Sequence, residues 1–190
     1  GNCSYEMLRE MVKAGLKILY FGIESANQRI LNYYNKTITP EQAETAVRTA
    51  KKAGVDVIVG SFIVGAPDET RDEIRNTIEF AKKVPIDIPQ FNILGAHPGN
   101  DVWNECEEKG LLKVDEHWET GVGVCKISPT AVPCDEIRQM THAAFFRHVS
   151  RPNYLITQIA KTLKSSYRMS VMINNLNRMA EIMEGANAVT

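Results

Sequence analysis

The sequence predicts an α/β fold, namely a partial (β/α) TIM-type barrel with parallel strands, followed by an α-helical C-terminal extension. Apolar runs typical of buried strands alternate with amphipathic helical segments, and no hairpin turn joins one run to the next. Strands that are linked through helices lie parallel, with right-handed crossovers. Only about three such strands are visible, whereas a closed barrel has eight βα units and roughly 250 residues. We therefore expect the second half of a barrel.

The central strand and the loop after it organise this prediction. The run from Val55 to Val64 is rich in β-branched residues, so we expect a strand that is buried on both faces. Gly65-Ala66-Pro67 ends the strand, because proline cannot continue the ladder. Thr70 then begins a helix, with Glu73 at the capping-box position. Ligands of α/β folds bind at the carboxyl ends of the strands, so this loop marks the expected functional edge.

The other elements follow from apolar periodicity and from helix caps. Thr39 is the expected N-cap of a further helix, with Pro40 in its first turn and Gln42 closing the capping box. The expected strands cover residues 16–23, 55–64 and 86–94. The expected helices cover residues 5–14, 27–33, 40–53, 71–83, 101–109, 135–149, 152–163 and 169–183. The chain then divides into a barrel half at 1–110, an irregular connection at 111–134 and a helical extension at 135–190.

Composition and charge exclude several classes of function. The 190 residues include 22 Lys and Arg and 23 Asp and Glu, a net charge of −1 that gives no electrostatic reason to expect a nucleic acid or an anionic membrane as partner. No apolar run is long enough to span a membrane, and no secretory signal opens the chain. The cysteines are far apart and form no CxxC pair, so we expect free thiols, a reducing cytoplasmic location and no metal site. They are Cys3, Cys106, Cys125 and Cys134.

Candidate ligand-binding residues lie where the strands end. Glu24 and Ser25 follow the first strand, where a carboxylate can bind the vicinal hydroxyls of a ribose or can equally serve the dipole of the next helix. Lys36 can fold back over the same strand ends and suits a carboxylate or a phosphate, but an isolated lysine is more often solvated surface. Ser61 and Ile63 face one side of the central strand, and Ser61 needs a partner, either a ligand or backbone.

His97 lies just after the third strand, at the same expected edge. A loop histidine is more often structural or solvated than catalytic. The residue types and their positions, taken alone, therefore assign no catalytic residue.

Taken together, these stretches resemble the radical S-adenosylmethionine (SAM) enzymes. The match covers residues 5–110 in the order and spacing of that family. It is similar to the subgroup that contains the methylthiotransferases, the coproporphyrinogen dehydrogenases and the cobalamin-associated members. The segments that carry it are Tyr20–Asn27, Ile30-Leu31 through Asn35-Lys36, Ala53-Gly54-Val55, Ser61–Thr70, Gln90-Phe91-Asn92 and His97–Asn100.

The resemblance implies a fragment of a radical SAM iron-sulfur enzyme, an oxidoreductase or a transferase. Its full-length parent would use SAM and a 4Fe-4S cluster on a CxxxCxxC loop, and some members use cobalamin as well. An electron from the cluster cleaves SAM to methionine and a 5′-deoxyadenosyl radical, which abstracts hydrogen from the substrate. This sequence has no CxxxCxxC, so the resemblance implies that the cluster loop lies upstream and that the chain alone is inactive.

The resemblance also gives roles to individual residues. Glu24, with Ser25 beside it, would bind the ribose of SAM, and Lys36 would pair with the methionyl carboxylate. Ser61 and Ile63 would contact ribose and adenine. Two further positions are Leu94, whose backbone would meet the adenine, and His97, which would lie on the substrate side.

The C-terminal extension is similar to the tails of cobalamin-associated members, whose substrates include lipids, porphyrins and natural-product scaffolds. A small-molecule, lipid or tetrapyrrole-like substrate is therefore expected. The open barrel edge predicts either a homo-oligomer or tail helices that fold back over the edge. Two other readings stay open at this point. One is a fragment of an ordinary TIM-barrel enzyme, such as an aldolase or an isomerase, and the other is a non-catalytic binding module.

Overall fold

The computed structural model describes residues 4–112 and 127–175, which form an α/β fold with a helical C-terminal part. The strands are β1 (Ile18–Glu24), β2 (Val57–Val64) and β3 (Ile88–Ile93). The helices are α1 (Tyr5–Lys13), α2 (Gln28–Tyr33), α3 (Pro40–Ala53), α4 (Arg71–Lys83), α5 (Asp101–Glu108), α6 (Cys134–Val149) and α7 (Pro152–Lys164). Residues 166–175 are also helical.

The three strands form one parallel sheet in the order β1-β2-β3, as the βα alternation predicts. Tyr20 lies opposite Val59, and Val59 opposite Ile88, so these three side chains form one row on the same face. Because the strands are parallel, their carboxyl ends meet at one edge of the sheet. The sheet therefore has the arrangement that the sequence predicts for three consecutive barrel strands.

One face of the sheet is covered by helices, and the other is only partly covered by the described residues. The covered face packs a core of α1, α3, β2 and α4 residues, including Leu8, Val47, Ala50, Ile58, Phe62 and Ala81. On the partly covered face Tyr20 is 65% exposed and Ile88 is 39% exposed. In a barrel this face would line the lumen, and we call it the lumen face.

The predicted helix caps are present. Thr39 accepts a hydrogen bond from the backbone of Gln42, and the Gln42 side chain accepts one from the backbone of Thr39. Thr70 and Glu73 form the same box at the start of α4. Each box satisfies backbone N–H groups that a helix start leaves without a partner, so both helices begin where the sequence predicts.

Helix α6 packs beside β3 and α4. Its residues Ile137 and Ala144 share a buried cluster with Val64, Ile74 and Ile78. The backbone divides into two compact units, one reaching Phe146 and one beginning at Arg147. The predicted domain limits at 110 and 135 stay predictions, and most of the predicted 111–134 connection lies outside the described residues, as does the second half of the predicted 169–183 helix.

Two expectations need correction. The central strand is not buried on both faces, because Ser61 and Ile63 on the lumen face are only half-buried. The cysteines are not all free thiols, since Cys106 is a buried free thiol but Cys134 is disulfide-bonded. Wide separation along the sequence does not reveal which thiols meet in space. The cytoplasmic location rested in part on free thiols and stays a prediction.

Candidate cofactor site

The site begins at the carboxyl end of β1, where the strand is distorted at Glu24. The register shifts between Gly22, which faces Ser61, and Glu24, which faces Phe62. Glu24 has a φ of 65°, in the left-handed region that residues other than glycine rarely adopt. Such distortions cost energy and are found mainly at binding and catalytic sites. Glu24 is nevertheless only 9% exposed, so its carboxylate is held in place.

An ion pair joins Glu24 to Lys36, the two charged residues that the sequence singles out. The Lys36 Nζ lies 2.9 Å from the Glu24 Oε1. The segment after α2 brings the lysine there, because the Lys36 backbone N–H closes that helix by donating to the carbonyl of Leu31. The lysine side chain is 39% exposed and the glutamate side chain 11%, so the pair is open to solvent on its cationic side.

Ser25 lies directly behind this pair and is fully buried. Its hydroxyl lies 3.2 Å from the hydroxyl of Thr77 on α4, and it accepts a hydrogen bond from the backbone N–H of Asn27. Thr77 also accepts from the backbone N–H of Ala26. These bonds fasten the turn after β1 to α4, and they fix the backbone on which Glu24 sits.

Ser61 and Ile63 lie on the lumen face of β2, as the alternation predicts. The Ser61 hydroxyl accepts a hydrogen bond from the Asn92 side chain at 3.0 Å, and Ile63 lies opposite Asn92 in the register. Leu94 continues the ladder beyond β3 by donating its N–H to the carbonyl of Val64. Asn92 has no assigned role in the sequence-based prediction. Its place on the lumen face follows only from the register of β3 against β2.

His97 lies in the exposed loop that follows β3. Its backbone N–H donates weakly to the Asn100 side chain, and Asn100 also caps α5 by accepting from the N–H of Trp103 at 2.7 Å. The His97 ring lies over Gly95, where an added Cβ would be 3.2 Å from Nε2. The histidine is thus at the predicted edge of the sheet, and its role stays a prediction.

Glu69 is a further buried acidic residue at this edge. One oxygen of its carboxylate accepts hydrogen bonds from the N–H of Gly65 at 2.6 Å and of Ala66 at 3.0 Å, closing the loop after β2. Burial raises the pKa of Glu69, and these two donors oppose that effect. Sequence reasoning missed this residue, although a glutamate four residues after the loop glycine was a signal that could have been used.

The described residues offer no metal centre. Among residues 4–112 and 127–175, no group of three or more His, Cys, Asp or Glu side chains could hold a metal ion. Cys106 is buried, and burial raises the pKa of its thiol, which disfavours the thiolate that binds iron. An iron-sulfur cluster therefore does not fit the residues described. Nor does any described helix combine the length and apolar character needed to cross a bilayer.

The lumen face changes in character along the strands. The row formed by Gly22, Ser61 and Gln90 is polar and lies toward the carboxyl edge, where Glu24 and Lys36 pair. The row before it is apolar and borders a groove of about 500 Å³. The groove is lined by Tyr20, Val59, Ile88, Phe91, Phe145 and Phe146, among others. Such a surface can bind a polar ligand at the edge and an apolar molecule beside it.

The comparisons with known proteins agree with this arrangement. The model of the radical SAM superfamily matches residues 2–81. An uncharacterised methyltransferase of Pyrococcus horikoshii is 38% identical to this chain over 155 residues, which is 81% of this chain and 33% of that protein. The chain belongs to the radical SAM superfamily. An ordinary TIM-barrel enzyme of the aldolase or isomerase type is thereby excluded.

Two further proteins are similar to part of this chain. The bacteriochlorophyllide d C-8(2)-methyltransferase of Chlorobaculum tepidum is 31% identical over 114 residues, covering 59% of this chain and 25% of that protein. Among solved structures, the radical SAM enzyme coproporphyrinogen III oxidase of Escherichia coli superposes with a TM-score of 0.56 at 14% identity, over 77% of this chain and 30% of that one. The chain thus spans about a third or less of each of these proteins, and the last likeness concerns the fold alone.

Proposed function

We propose that this chain supplies the SAM-binding half of a radical SAM enzyme whose full-length parent cleaves SAM reductively to modify a substrate. One observation carries the proposal, namely the Glu24–Lys36 ion pair at the carboxyl edge of the sheet, 2.9 Å between Nζ and Oε1. SAM presents a ribose diol and an α-carboxylate. A carboxylate that accepts from hydroxyls and an ammonium that donates to a carboxylate match these two groups.

Each predicted residue has a part in this proposal. Glu24 accepts from the ribose hydroxyls and Lys36 donates to the methionyl carboxylate. Ser61 and Ile63 contact ribose and adenine from the lumen face of β2, and the Leu94 backbone meets the adenine edge. The remaining two are His97, which faces the substrate, and Ser25. Ser25 was expected beside the ribose, but it is fully buried and bonded to Thr77, so it holds the Glu24 turn against α4 instead.

The cluster ligands would come from a part of the enzyme outside this chain. This proposal is supported by the absence of a CxxxCxxC from the sequence and of a cluster-forming set among the residues described. A cluster held outside this chain would supply the electron for the reductive cleavage of SAM, while Glu24 and Lys36 of this chain would hold the SAM. The chain alone would therefore bind SAM weakly and cleave none. No residue of the chain is assigned to cobalamin.

The proposal is tested by the SAM affinity of the full-length parent enzyme, measured by calorimetry. We expect Glu24→Ala and Lys36→Ala each to weaken binding by about 1.5–3 kcal/mol, the range for one charged hydrogen bond. Glu44 and Arg48 form a comparable ion pair of 2.8 Å on α3, so Glu44→Ala and Arg48→Ala are matched controls that should bind as the wild type does. Unchanged affinity in both site variants would overturn the two assignments.

A second measurement tests whether the chain is inactive alone. The chain is reconstituted anaerobically with iron and sulfide, given SAM and a reductant, and assayed for 5′-deoxyadenosine. We expect none above the protein-free blank. Any cleavage would mean that this chain contains the catalytic centre.

We propose further that the substrate is an apolar small molecule of the tetrapyrrole class. The support is the aromatic groove beside the apolar row of the lumen face, together with relatives whose names refer to a bacteriochlorophyllide and to coproporphyrinogen. A free-base porphyrin should quench the tryptophan fluorescence of the chain saturably, and Phe146→Ser in the groove should weaken that binding. Leu155→Ser, an exposed leucine elsewhere, is the control. Equal binding by both variants would remove this assignment.

A further inference from the structure

Gly22 occupies the middle of a strand, where glycine is unfavourable unless another group needs the space. The geometry identifies that group. A Cβ built on Gly22 would lie 2.6 Å from the Oε1 of Glu24 and 3.4 Å from the Nζ of Lys36. The first distance is far inside van der Waals contact. The Glu24–Lys36 ion pair therefore lies directly on the bare Cα of Gly22.

The backbone explains why the carboxylate lies there. The bulge between Gly22 and Glu24 and the left-handed φ of Glu24 turn its side chain back along the strand. Ser25, the next residue, is buried and bonded to Thr77, so the turn cannot shift to make room. Any side chain at position 22 must consequently displace the flexible end of Glu24 and leave the fold of β1 unchanged.

We infer that Gly22 is a positioning residue of the ligand site, acting through Glu24. Its missing side chain sets the carboxylate within 2.9 Å of Lys36 and presents both charged groups to the ligand. A methyl group at position 22 displaces the Glu24 carboxylate and separates it from the Lys36 ammonium. Both groups, which meet the ribose and the methionyl carboxylate, are then misplaced. This inference rests on the proposed function for the identity of the ligand, but the geometry of the pair does not depend on it.

The first test is a double-mutant cycle on SAM binding, in the full-length parent enzyme. Gly22→Ala should weaken binding about tenfold or more, the scale of one misplaced charged hydrogen bond. In the Glu24→Ala background the same substitution should change affinity less than about twofold, because no carboxylate remains to displace. A loss that is equal in both backgrounds would mean that Gly22 acts through general strand structure, and wild-type affinity in Gly22→Ala would also overturn the inference.

Gly110→Ala is the control for the loss of a glycine. Gly110 lies outside the helices and strands and has a φ of 67°, but an added Cβ there meets nothing within 4 Å. This variant measures the general cost of losing a glycine, and we expect its SAM affinity to equal that of the wild type.

The second test needs no SAM. The Glu24 side-chain carboxyl is followed by ¹³C NMR with and without Lys36→Ala. In the wild-type background, removal of the ammonium should shift the resonance, whereas in Gly22→Ala the shift should be small because the pair is already apart. Equal shifts in both backgrounds overturn the inference. Failure of the wild type to bind SAM would overturn the proposed function and leave this second test intact.

Discussion

At the scale of single residues, Glu69 combines a structural bond with an electrostatic cost. Its Oε2 accepts from two backbone N–H groups of the loop after β2, while its Oε1 is buried without a hydrogen-bond partner among the residues described. Burial raises the pKa of this carboxyl, and the hydrogen bonds from Gly65 and Ala66 work against that rise. The loop is therefore held by the Glu69 carboxyl, whose charged form is disfavoured by burial.

Two substitutions separate these effects. Glu69→Ala removes the acceptor of two buried N–H groups, so we expect the free energy of unfolding to fall by about 1–3 kcal/mol. Glu69→Gln keeps an acceptor without the charge. Since the folded pKa is raised, the wild-type carboxyl stabilises the fold fully below its unfolded pKa of about 4.3, and this contribution is lost as pH rises through the folded value. Glu69→Gln should therefore gain stability relative to the wild type as the pH is raised.

Urea unfolding of both proteins from about pH 4 to about pH 8 measures this change. Glu79→Gln, whose wild-type side chain is 67% exposed, is the control and should follow the wild-type profile. Parallel profiles for Glu69→Gln and the wild type would show that burial does not penalise the Glu69 charge.

The candidate residues differ in how far the sequence could identify them. The residues alone place Glu24 and Lys36 near the carboxyl edge, after an apolar strand and a helix end, but their selection as ligand-binding residues came from the resemblance to radical SAM enzymes; their location could be predicted in this way. Their direct pairing could not, since it depends on a strand bulge and a left-handed φ that leave no mark in the apolar pattern. Asn92 was missed because its position on the lumen face follows from strand register, which is a long-range property.

At the scale of elements, the start of α4 links three parts of the fold. Glu73 closes the capping box with Thr70, and its carboxylate also accepts two hydrogen bonds from Arg29 on α2, at 2.9 and 2.7 Å. The same arginine donates to the carbonyl of Asp68 in the loop after β2. The hydrogen bonds from Arg29 are the main reason that the pKa of Glu73 is lowered to about 2. The Arg29 side chain thereby joins α2, α4 and the loop after β2.

We expect Glu73→Gln to lower the free energy of unfolding by about 1–2 kcal/mol near neutral pH, because it removes the charge that Arg29 binds and leaves a capping side chain in place. Because the folded pKa is depressed, the carboxylate stabilises the fold above its unfolded pKa of about 4.3, and this is lost as pH falls toward the folded value. The difference between the two proteins should therefore shrink below about pH 4.

Chemical unfolding at a series of pH values gives this difference directly. Asp72→Asn changes a neighbouring acidic residue in the same first turn, with a side chain that is 89% exposed, and should cost much less. If Asp72→Asn and Glu73→Gln cost the same at every pH, the helix dipole accounts for the effect and the bond to Arg29 does not.

Helix starts were easier to predict than strand ends. A capping box involves only four consecutive residues, so it can be recognised from local sequence. Both predicted boxes are present, at Thr39 and Thr70. The strands were predicted about two residues too long at their amino-terminal ends, since a strand extends only as far as its neighbour pairs with it. The central strand was expected to be covered on both faces, and the part of the chain described here covers only one of them fully.

At the scale of the whole molecule, β1 is an edge strand. It pairs only with β2 among the described residues, and a groove of about 1010 Å³ runs beside it, lined in part by Leu19, Phe21 and Ile38. Helix α6 packs near β3 and α4, at the other side of the sheet. The number and order of the parallel strands could be predicted from the βα alternation. The groups that cover β1 could not be predicted, because they come from residues that are distant from β1 in the sequence.

An uncovered edge strand beside an exposed apolar face offers backbone groups and surface to another chain. We expect this 190-residue chain to self-associate through β1, with a mass by light scattering that rises above one chain as concentration increases. Tyr20→Lys places a charge on the exposed face of β1, where the side chain is 65% exposed, and should shift the equilibrium toward the monomer about tenfold. Ile156→Lys changes an equally exposed residue of α7 and should leave the association unchanged. A wild-type chain that stays monomeric at every concentration, with rapid hydrogen exchange of the β1 amides, would show that the edge remains bare in solution.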